Sequence, residues 1–312
     1  MDALRPVVAA ADIGGTKIAV ALVDAQGEVV ARGGAPTPAR EGADAILDLV
    51  ARLVADLADR QGGPAPEALG VGAAGVIDPV SGRVLLATDT LTGWEGAELC
   101  VGLESRLQVP VSAVNDVHAH GLGELQYGAG VGSANVLTVA VGTGIGGAVV
   151  LADDLVVGRH AAAGHVGHVP SGYAAGLVCS CGAVGHLEAF ASGPGLAREY
   201  QRRTGGGAID LREVAARAAQ HESVARNVLR AGGAAVGEAV AGFVNVLDPD
   251  LVVLGGGVAG VGGVWWSALL EAYRAGVLPL LSDTAVVRSE LGGDAALVGA
   301  AALAWRSLEE GQ

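Results

Sequence analysis

Residues 7–32 read VVAAADIGGTKIAVALVDAQGEVVAR. Val7–Ile13 is an apolar, β-rich run that ends at Gly14-Gly15-Thr16-Lys17. A second such run follows over Ile18–Val23, then a turn at Asp24–Gly27, then a third over Glu28–Arg32. Strand, glycine turn, strand, turn, strand is the pattern of an antiparallel meander. Asp12-Ile-Gly-Gly-Thr-Lys17 is not a Walker loop, which needs G-x-x-x-x-G-K-[ST] and a following helix. The turn is either a plain hairpin or a place where bare amides open to a phosphate, with Asp12 near a metal ion.

The same organisation returns at 135–157, NVLTVAVGTGIGGAVVLADDLVV. Asn135–Val141 is a strand, Gly142-Thr-Gly144-Ile-Gly146-Gly147 a turn, and Ala148–Leu151 and Leu155–Val157 are strands. Gly142, Gly144 and Gly147 match G-x-G-x-x-G, but the dinucleotide fingerprint needs a helix after the glycines and a strand follows here. Two related α/β domains are expected, each offering a glycine turn to a nucleotide held in the cleft between them.

Between these meanders, Ala43–Arg60 has apolar residues at helical spacing. Ala68–Ala73 is a strand leading to Gly75, and a helix covers about Ala97–Leu107. Pro110–Val114 is a strand that stops at Asn115-Asp116, with a helix after it to about Gln126. A polar pair where a strand gives way to a helix lies at the carboxyl end of a sheet, where open α/β sheets bind ligands. Asp116 is favoured as an anion there, and its position alone reads first as an N-cap and only then as a catalytic group. Further on, helix is expected over about His221–Leu247 and Ala295–Leu308. Between them Leu251–Leu254 reads as a buried strand ending at Gly255-Gly256-Gly257. That glycine run is a third place for close backbone approach or a simple loop. His118, His120 and His221 read as solvated or capping residues.

The segment 160–193 concentrates the chain's metal-ligating chemistry, with His165 and His168 followed by Cys179, Cys181, His186 and Glu188. Two sulfurs and two imidazoles form a donor set that zinc prefers. Spacing alone leaves a metal knot and two ordinary buried thiols both open. Cys100 reads as a small apolar residue.

At 312 residues the chain is long enough for about two domains. It carries 51 glycines, and no apolar run long enough to cross a bilayer interrupts them. The N-terminus lacks the basic and apolar regions of an export signal, and three cysteines fit a reducing compartment, so the expected location is cytoplasmic. A net charge of −14 argues against nucleic-acid and anionic-membrane partners. It leaves a nucleotide open, because backbone amides hold phosphates.

Asp12-IGGTK, Asn115-Asp116, Gly142-TGIGG, the x-x-G-H of 165–168, the C-x-C-G-x-x-G-x-x-E run of 179–188 and Leu254-GGGV together resemble the ROK family of sugar kinases. They span nearly the whole chain in that family's order. The first strand begins at Val7, which leaves no room for the helix-turn-helix of ROK repressors, so the resemblance is to the glucokinase-like branch. It implies a two-domain α/β fold of the actin/hexokinase (ribonuclease H-like) ATPase class with a cleft between domains. Expected boundaries are 1–115 plus 298–312 for the smaller domain and 116–297 for the larger. Also implied is ATP-dependent phosphorylation of a hexose, usually at the 6-hydroxyl, with Asp116 as general base. Gly75, Thr90, Asn115, His165, His168 and Glu188 would surround the sugar. Asp12, Gly14, Gly15, Thr16 and Lys17, together with Thr143, Gly144 and Gly146, would hold ATP phosphates and their magnesium, and Gly256 and Gly257 would lie near the nucleoside. A structural zinc would sit on His168, Cys179, Cys181 and His186. Family members are often dimers or tetramers, so a homo-oligomer is expected.

The chain departs from that family at four positions. The usual Glu-x-G-H has His165 in place of the glutamate, and the usual third cysteine is His186. N-x-x-G-W reads Thr90-Leu-Thr-Gly-Trp94, and a common proline is Ala74. A carboxylate only accepts hydrogen bonds, whereas a neutral imidazole offers one donor and one acceptor. The expected consequence is retained chemistry with a shifted substrate: an amino sugar, an epimer or a cyclitol. An ordinary glucokinase and a non-catalytic sugar-binding regulator are the alternatives.

Overall fold

The computed structural model describes residues 5–207 and 209–311. The chain opens with β1 (Val7–Ile13), β2 (Lys17–Asp24) and β3 (Val29–Pro36), then α1 (Ala43–Gln61) and β4 (Leu69–Ala73). A small hairpin, β5 (Val76–Ile77) and β6 (Val84–Leu86), precedes α2 (Leu99–Leu107), β7 (Val111–Asn115) and α3 (Asp116–Tyr127). The second half opens with β8 (Val136–Val141), β9 (Ile145–Leu151) and β10 (Asp154–Leu155). Four helices follow: α4 (Leu187–Ala191), α5 (Gly193–Thr204), α6 (Leu211–Ala219) and α7 (Ser223–Leu247). The chain then runs through β11 (Leu251–Gly255), α8 (Gly263–Gly276), β12 (Ala285–Arg288) and α9 (Ala295–Glu310).

Two five-stranded sheets repeat one plan, in the orders β3-β2-β1-β4-β7 and β10-β9-β8-β11-β12. In each, the glycine turn joins an antiparallel pair and the later strands add in parallel. The chain divides into two compact units. The first holds the residues up to Gly132, the segment Leu155–Ala163 and everything from Glu290 on; the second holds Ser133–Asp154 and Gly164–Ser289.

In the first unit β1 is buried on both faces, which is why its run is continuously apolar. Val7, Ala9, Ala11 and Ile13 pack with Ile46 and Val50 of α1 and Leu99 and Leu103 of α2. Val8 and Ala10 pack with Ala119 of α3 and Leu297, Ala300 and Ala301 of α9. Glycine sets the closeness on that face. A Cβ at Gly299 would stand 1.7 Å from the carbonyl oxygen of Ala119, and one at Gly70 the same distance from that of Ala300. In the second unit α7 and α8 meet by the same device, since a Cβ at Gly233 or Gly237 would strike the Trp265 or Leu269 carbonyl.

Most expected elements stand within two residues of their sequence limits; β3 runs on to Pro36, and the third strand of the second meander shrinks to the two residues of β10. The histidines of α3 are not solvated. His118 is buried, with Nε2 at 2.9 Å from the carbonyl oxygen of Ala163. Buried His120 Nε2 has no hydrogen-bond partner among the described residues, and burial lowers that imidazole's pKa. No helix among the described residues is long and apolar enough to cross a membrane.

Candidate functional site

Each unit presents one group of the residues expected to act. In the first unit they gather at the carboxyl ends of β1, β4 and β7. The turn after β1 is closed by Gly14 N donating to Lys17 O at 3.0 Å, and Thr37 Oγ1 donates to Gly14 O at 2.7 Å. Thr16 and Lys17 are exposed. Thr90 lies against this turn, since a Cβ at Gly15 would come within 2.5 Å of its Cγ2. Gly75, at φ +106°, gives its carbonyl oxygen to Asn115 Nδ2 at 2.9 Å, and Trp94 Nε1 donates to Ala74 O at 2.9 Å. Thus the tryptophan of the altered T-x-x-G-W segment holds the turn that Asn115 also holds.

The N-cap of α3 is Asn115, whose Oδ1 accepts from Val117 N at 2.9 Å and His118 N at 3.3 Å. This frees Asp116 from the capping role that its position left open. Asp116 occupies the first helical position, where the helix dipole favours its charge, and its Oδ1 accepts from its neighbour Val117 N. Asp12 is mostly buried; burial and then the nearby Asp116 raise its pKa from 3.8 to about 6, against the pull of Lys17. Two carboxyls close enough to feel one another's charge at the ends of parallel strands suit proton acceptance and cation binding.

That shift has a sign. Between about pH 4 and 6 the folded chain keeps a proton on Asp12 that the unfolded chain gives up. Stability therefore falls as pH rises through this window and stays lower above it. Asp12→Asn removes the burden, so its stability gain at pH 8 is expected to be about 2–3 kcal/mol. The gain should vanish below about pH 4, where both states are protonated. Denaturant melts of both proteins at the two pH values check this, and an equal gain at both would refute it.

In the second unit the β8–β9 turn is tied to the start of α5, with Gly142 O accepting from Gly193 N at 2.8 Å. Ser192 caps α5 through Gly195 N at 3.2 Å, and Pro194 occupies its first turn. Gly256, at φ +83°, passes so close to β8 that a Cβ would meet Val141 O at 2.3 Å. These backbones border a cavity of about 680 Å³. Gly142, Thr143 and Gly257 form one end, Leu211, Val258 and Val261 offer apolar surface, and Arg198 and Arg212 bring cations. The size and lining suit a nucleoside with phosphates at the glycine end. Sequence reading had marked Thr143 and Gly257 here but not α5 and α6. The signals were present: Ser192 before Pro194, and Asp210 three residues before Glu213, which is the spacing of a capping box.

The metal-ligating residues come together. His168 Nδ1, Cys179 Sγ, Cys181 Sγ and a ring nitrogen of His186 all lie within 4.8 Å of one another. Adjacent atoms are 3.3–3.5 Å apart: Cys181 Sγ to His186 Nδ1, His168 Nδ1 to His186 Nδ1, and Cys179 Sγ to His168 Nδ1. A tetrahedral zinc with N and S ligands at 2.0–2.3 Å would space them about 3.3–3.8 Å apart, so the donor types and the adjacent spacings are compatible with it, while the group as a whole spreads to 4.8 Å. A tight loop builds it: Cys179 N donates to Ala183 O at 2.8 Å, and Gly185 N to Leu177 O at 2.9 Å. Burial keeps His168 neutral by lowering its pKa, the form a metal ligand needs. Its ring stacks on His165 with centroids 5.9 Å apart. Glu188 borders the same loop; its Oε2 accepts from Ile145 N at 2.8 Å beside Gly144.

A profile of the ROK family matches residues 8–307. A glucokinase of Halalkalibacterium halodurans is 30% identical over 311 residues, 92% of each chain. An N-acetylmannosamine kinase of Shigella flexneri is 32% identical over 297 residues, 95% of this chain and 98% of its own. Among solved structures, a ROK family glucokinase of Streptomyces griseus in complex with glucose and AMPPNP has a TM-score of 0.84 and 31% identity, covering 96% of this chain and 99% of its own.

Proposed function

The chain belongs to the ROK family and is a sugar kinase; we propose that it transfers the terminal phosphoryl group of ATP to a hydroxyl, usually the 6-hydroxyl, of a hexose-like sugar other than glucose. The observation that carries the phosphoryl-transfer reading is Asp116, which leaves the N-cap of α3 to Asn115 and lies close enough to mostly buried Asp12 for its charge to raise that carboxyl's pKa. Asp116 accepts the proton of the attacking hydroxyl. Asn115 keeps one amide hydrogen for the sugar after its bond to Gly75. Thr143 and Gly144 on one turn, Gly14 and Gly15 on the other, supply backbone donors to phosphates. Asp12 serves the magnesium that neutralises phosphate charge. Gly256 and Gly257 border the nucleoside. A zinc on His168, Cys179, Cys181 and His186 would fix the loop that carries His165 and Glu188. Bound there through His168 Nδ1, it leaves Nε2 of that ring as a hydrogen-bond donor for a sugar oxygen.

The substrate reading rests on His165 beside His168. An imidazole can accept from a protonated or acylated amine, or donate to a hydroxyl, where a carboxylate would only accept. An N-acetylmannosamine kinase among the relatives is in keeping with a 2-amino or epimeric sugar. A second reading, ordinary glucokinase, is favoured by the match over 92% of a glucokinase.

The test is ADP release with ATP and magnesium over a sugar panel. It comprises glucose, mannose, their 2-amino, 3-amino and N-acetyl forms, fructose and cyclitols. A compound other than glucose is expected to have the highest kcat/KM, and His165→Glu should move the ratio toward glucose by about 10²-fold or more. If glucose leads and His165→Glu leaves the ranking in place, the protein is an ordinary glucokinase.

A further inference from the structure

Glu188 uses both carboxylate oxygens inside the second unit. Oε2 accepts from Ile145 N at 2.8 Å, the amide that opens β9 directly after the glycine turn. Oε1 accepts the Ser180 hydroxyl at 2.5 Å and lies 3.7 Å from Cys179 Sγ. Ser180 stands between the two cysteines of the metal cluster. The turn leaves room for this link, because a Cβ at Gly144 would come within 2.7 Å of Glu188 Oε2. One side chain therefore spans from the metal loop to the glycine turn.

We propose that Glu188 is a positioning residue for the donor-phosphate turn, held in place by Ser180, so that ordering of the metal loop raises affinity for the phosphoryl donor. The proposal rests on the reading of 142–147 as the donor turn. The physical basis is the entropy of glycine. The turn between β8 and β9 carries glycines at 142 and 144, and it loses conformational freedom when it closes on a phosphate. A charge-assisted bond to Ile145 N fixes one end of the turn beforehand and lowers that cost. The carboxylate can do so only while its other oxygen is anchored. Ser180 supplies the anchor, and a metal on Cys179 and Cys181 would set where Ser180 stands. With Ile145 N, Ser180 and the Cys179 thiol on it, the carboxylate keeps one acceptor direction for a sugar hydroxyl, so the role adds to sugar binding and does not displace it.

Ser180→Ala tests this, since Ser180 ligates nothing and touches neither the base nor the cavity. Dissociation constants for a non-hydrolysable ATP analogue are measured by calorimetry, with zinc content by atomic absorption. The expected result is an analogue Kd raised about three- to tenfold at unchanged zinc content. Ser180→Thr should restore the Kd. Stripping zinc with a chelator should weaken the analogue in the wild type and much less in Ser180→Ala. Unchanged analogue affinity in Ser180→Ala overturns the proposal. So does zinc loss in proportion to affinity loss, or an equal chelator effect in both proteins. Gly257→Trp is run alongside. Nothing stands within 4 Å of a Cβ there, and the indole fills the cavity. If that variant binds the analogue normally, the donor-site reading fails, whatever Ser180 does.

Discussion

Asp116→Asn is expected to lower kcat by a factor of about 10²–10⁴ while the sugar KM and the melting temperature stay close to wild type. The amide has the carboxylate's shape and can still accept from Val117 N through its oxygen. The cap of α3 belongs to Asn115 and is untouched. What disappears is the proton acceptor, together with one of the charges that raise the Asp12 pKa. The same variant should therefore titrate Asp12 at lower pH than the wild type does, which separates loss of a charge from a distorted fold. ADP release against sugar concentration, with a thermal melt, checks the kinetic part. A kcat within tenfold of wild type would remove Asp116 from the role of base.

Gly299→Leu is expected to prevent the first unit from assembling. The new Cβ would lie 1.7 Å from Ala119 O and 2.6 Å from Gly123 N, both backbone atoms of α3. No rotamer relieves that overlap, so α9 must back away from α3 along their whole contact. The opposing Gly123 would then lose its approach to Ala295, and Gly70 its approach to Ala300. Overpacking a core costs about 1–3 kcal/mol when side chains can yield. Here backbone must yield, and a cost above about 5 kcal/mol approaches the whole stability of an ordinary domain. Gly242→Ala is the control. Gly242 lies exposed in α7 with nothing within 4 Å of a Cβ, so this change should stabilise by about 0.5–1 kcal/mol. Limited proteolysis and thermal melts read both, and a Gly299→Leu protein melting like wild type would contradict the packing argument.

The two related α/β units were legible in the two meanders, because a short period and a glycine turn leave a local trace, whereas the actin/hexokinase-like class came only through the motifs that resemble the ROK family. The false G-x-G-x-x-G was also legible as false, since a strand and not a helix follows its first two glycines, and that strand, Ile145–Leu151, takes in the third. That His168, Cys179, Cys181 and His186 come together could be read because they fall within one short segment of chain. The buried state of His118 and His120 could not. Two positions apart they do not share a face of α3, and their burial comes from partners far along the chain, such as Ala163. The cavity was half hidden for the same reason. Its glycine end sits at turns that announce themselves, whereas Arg198, Leu211 and Arg212 reach it only through the packing of α5 and α6. The roles of Ser192 and Asp210 as caps were written in the sequence, but nothing local tied those caps to Gly142 and Gly257.

The route of the chain also orders its own making. Val8, Ala10 and Ala21 are among the first apolar residues to leave the ribosome, yet the residues of α9 that cover them are translated after the whole of the second unit. The second unit can close during synthesis as a finished body, whereas the first must wait with one face of its sheet bare. A chain that ends between Ser289 and Ala295 therefore carries every residue of the second unit and an exposed apolar stripe on the first.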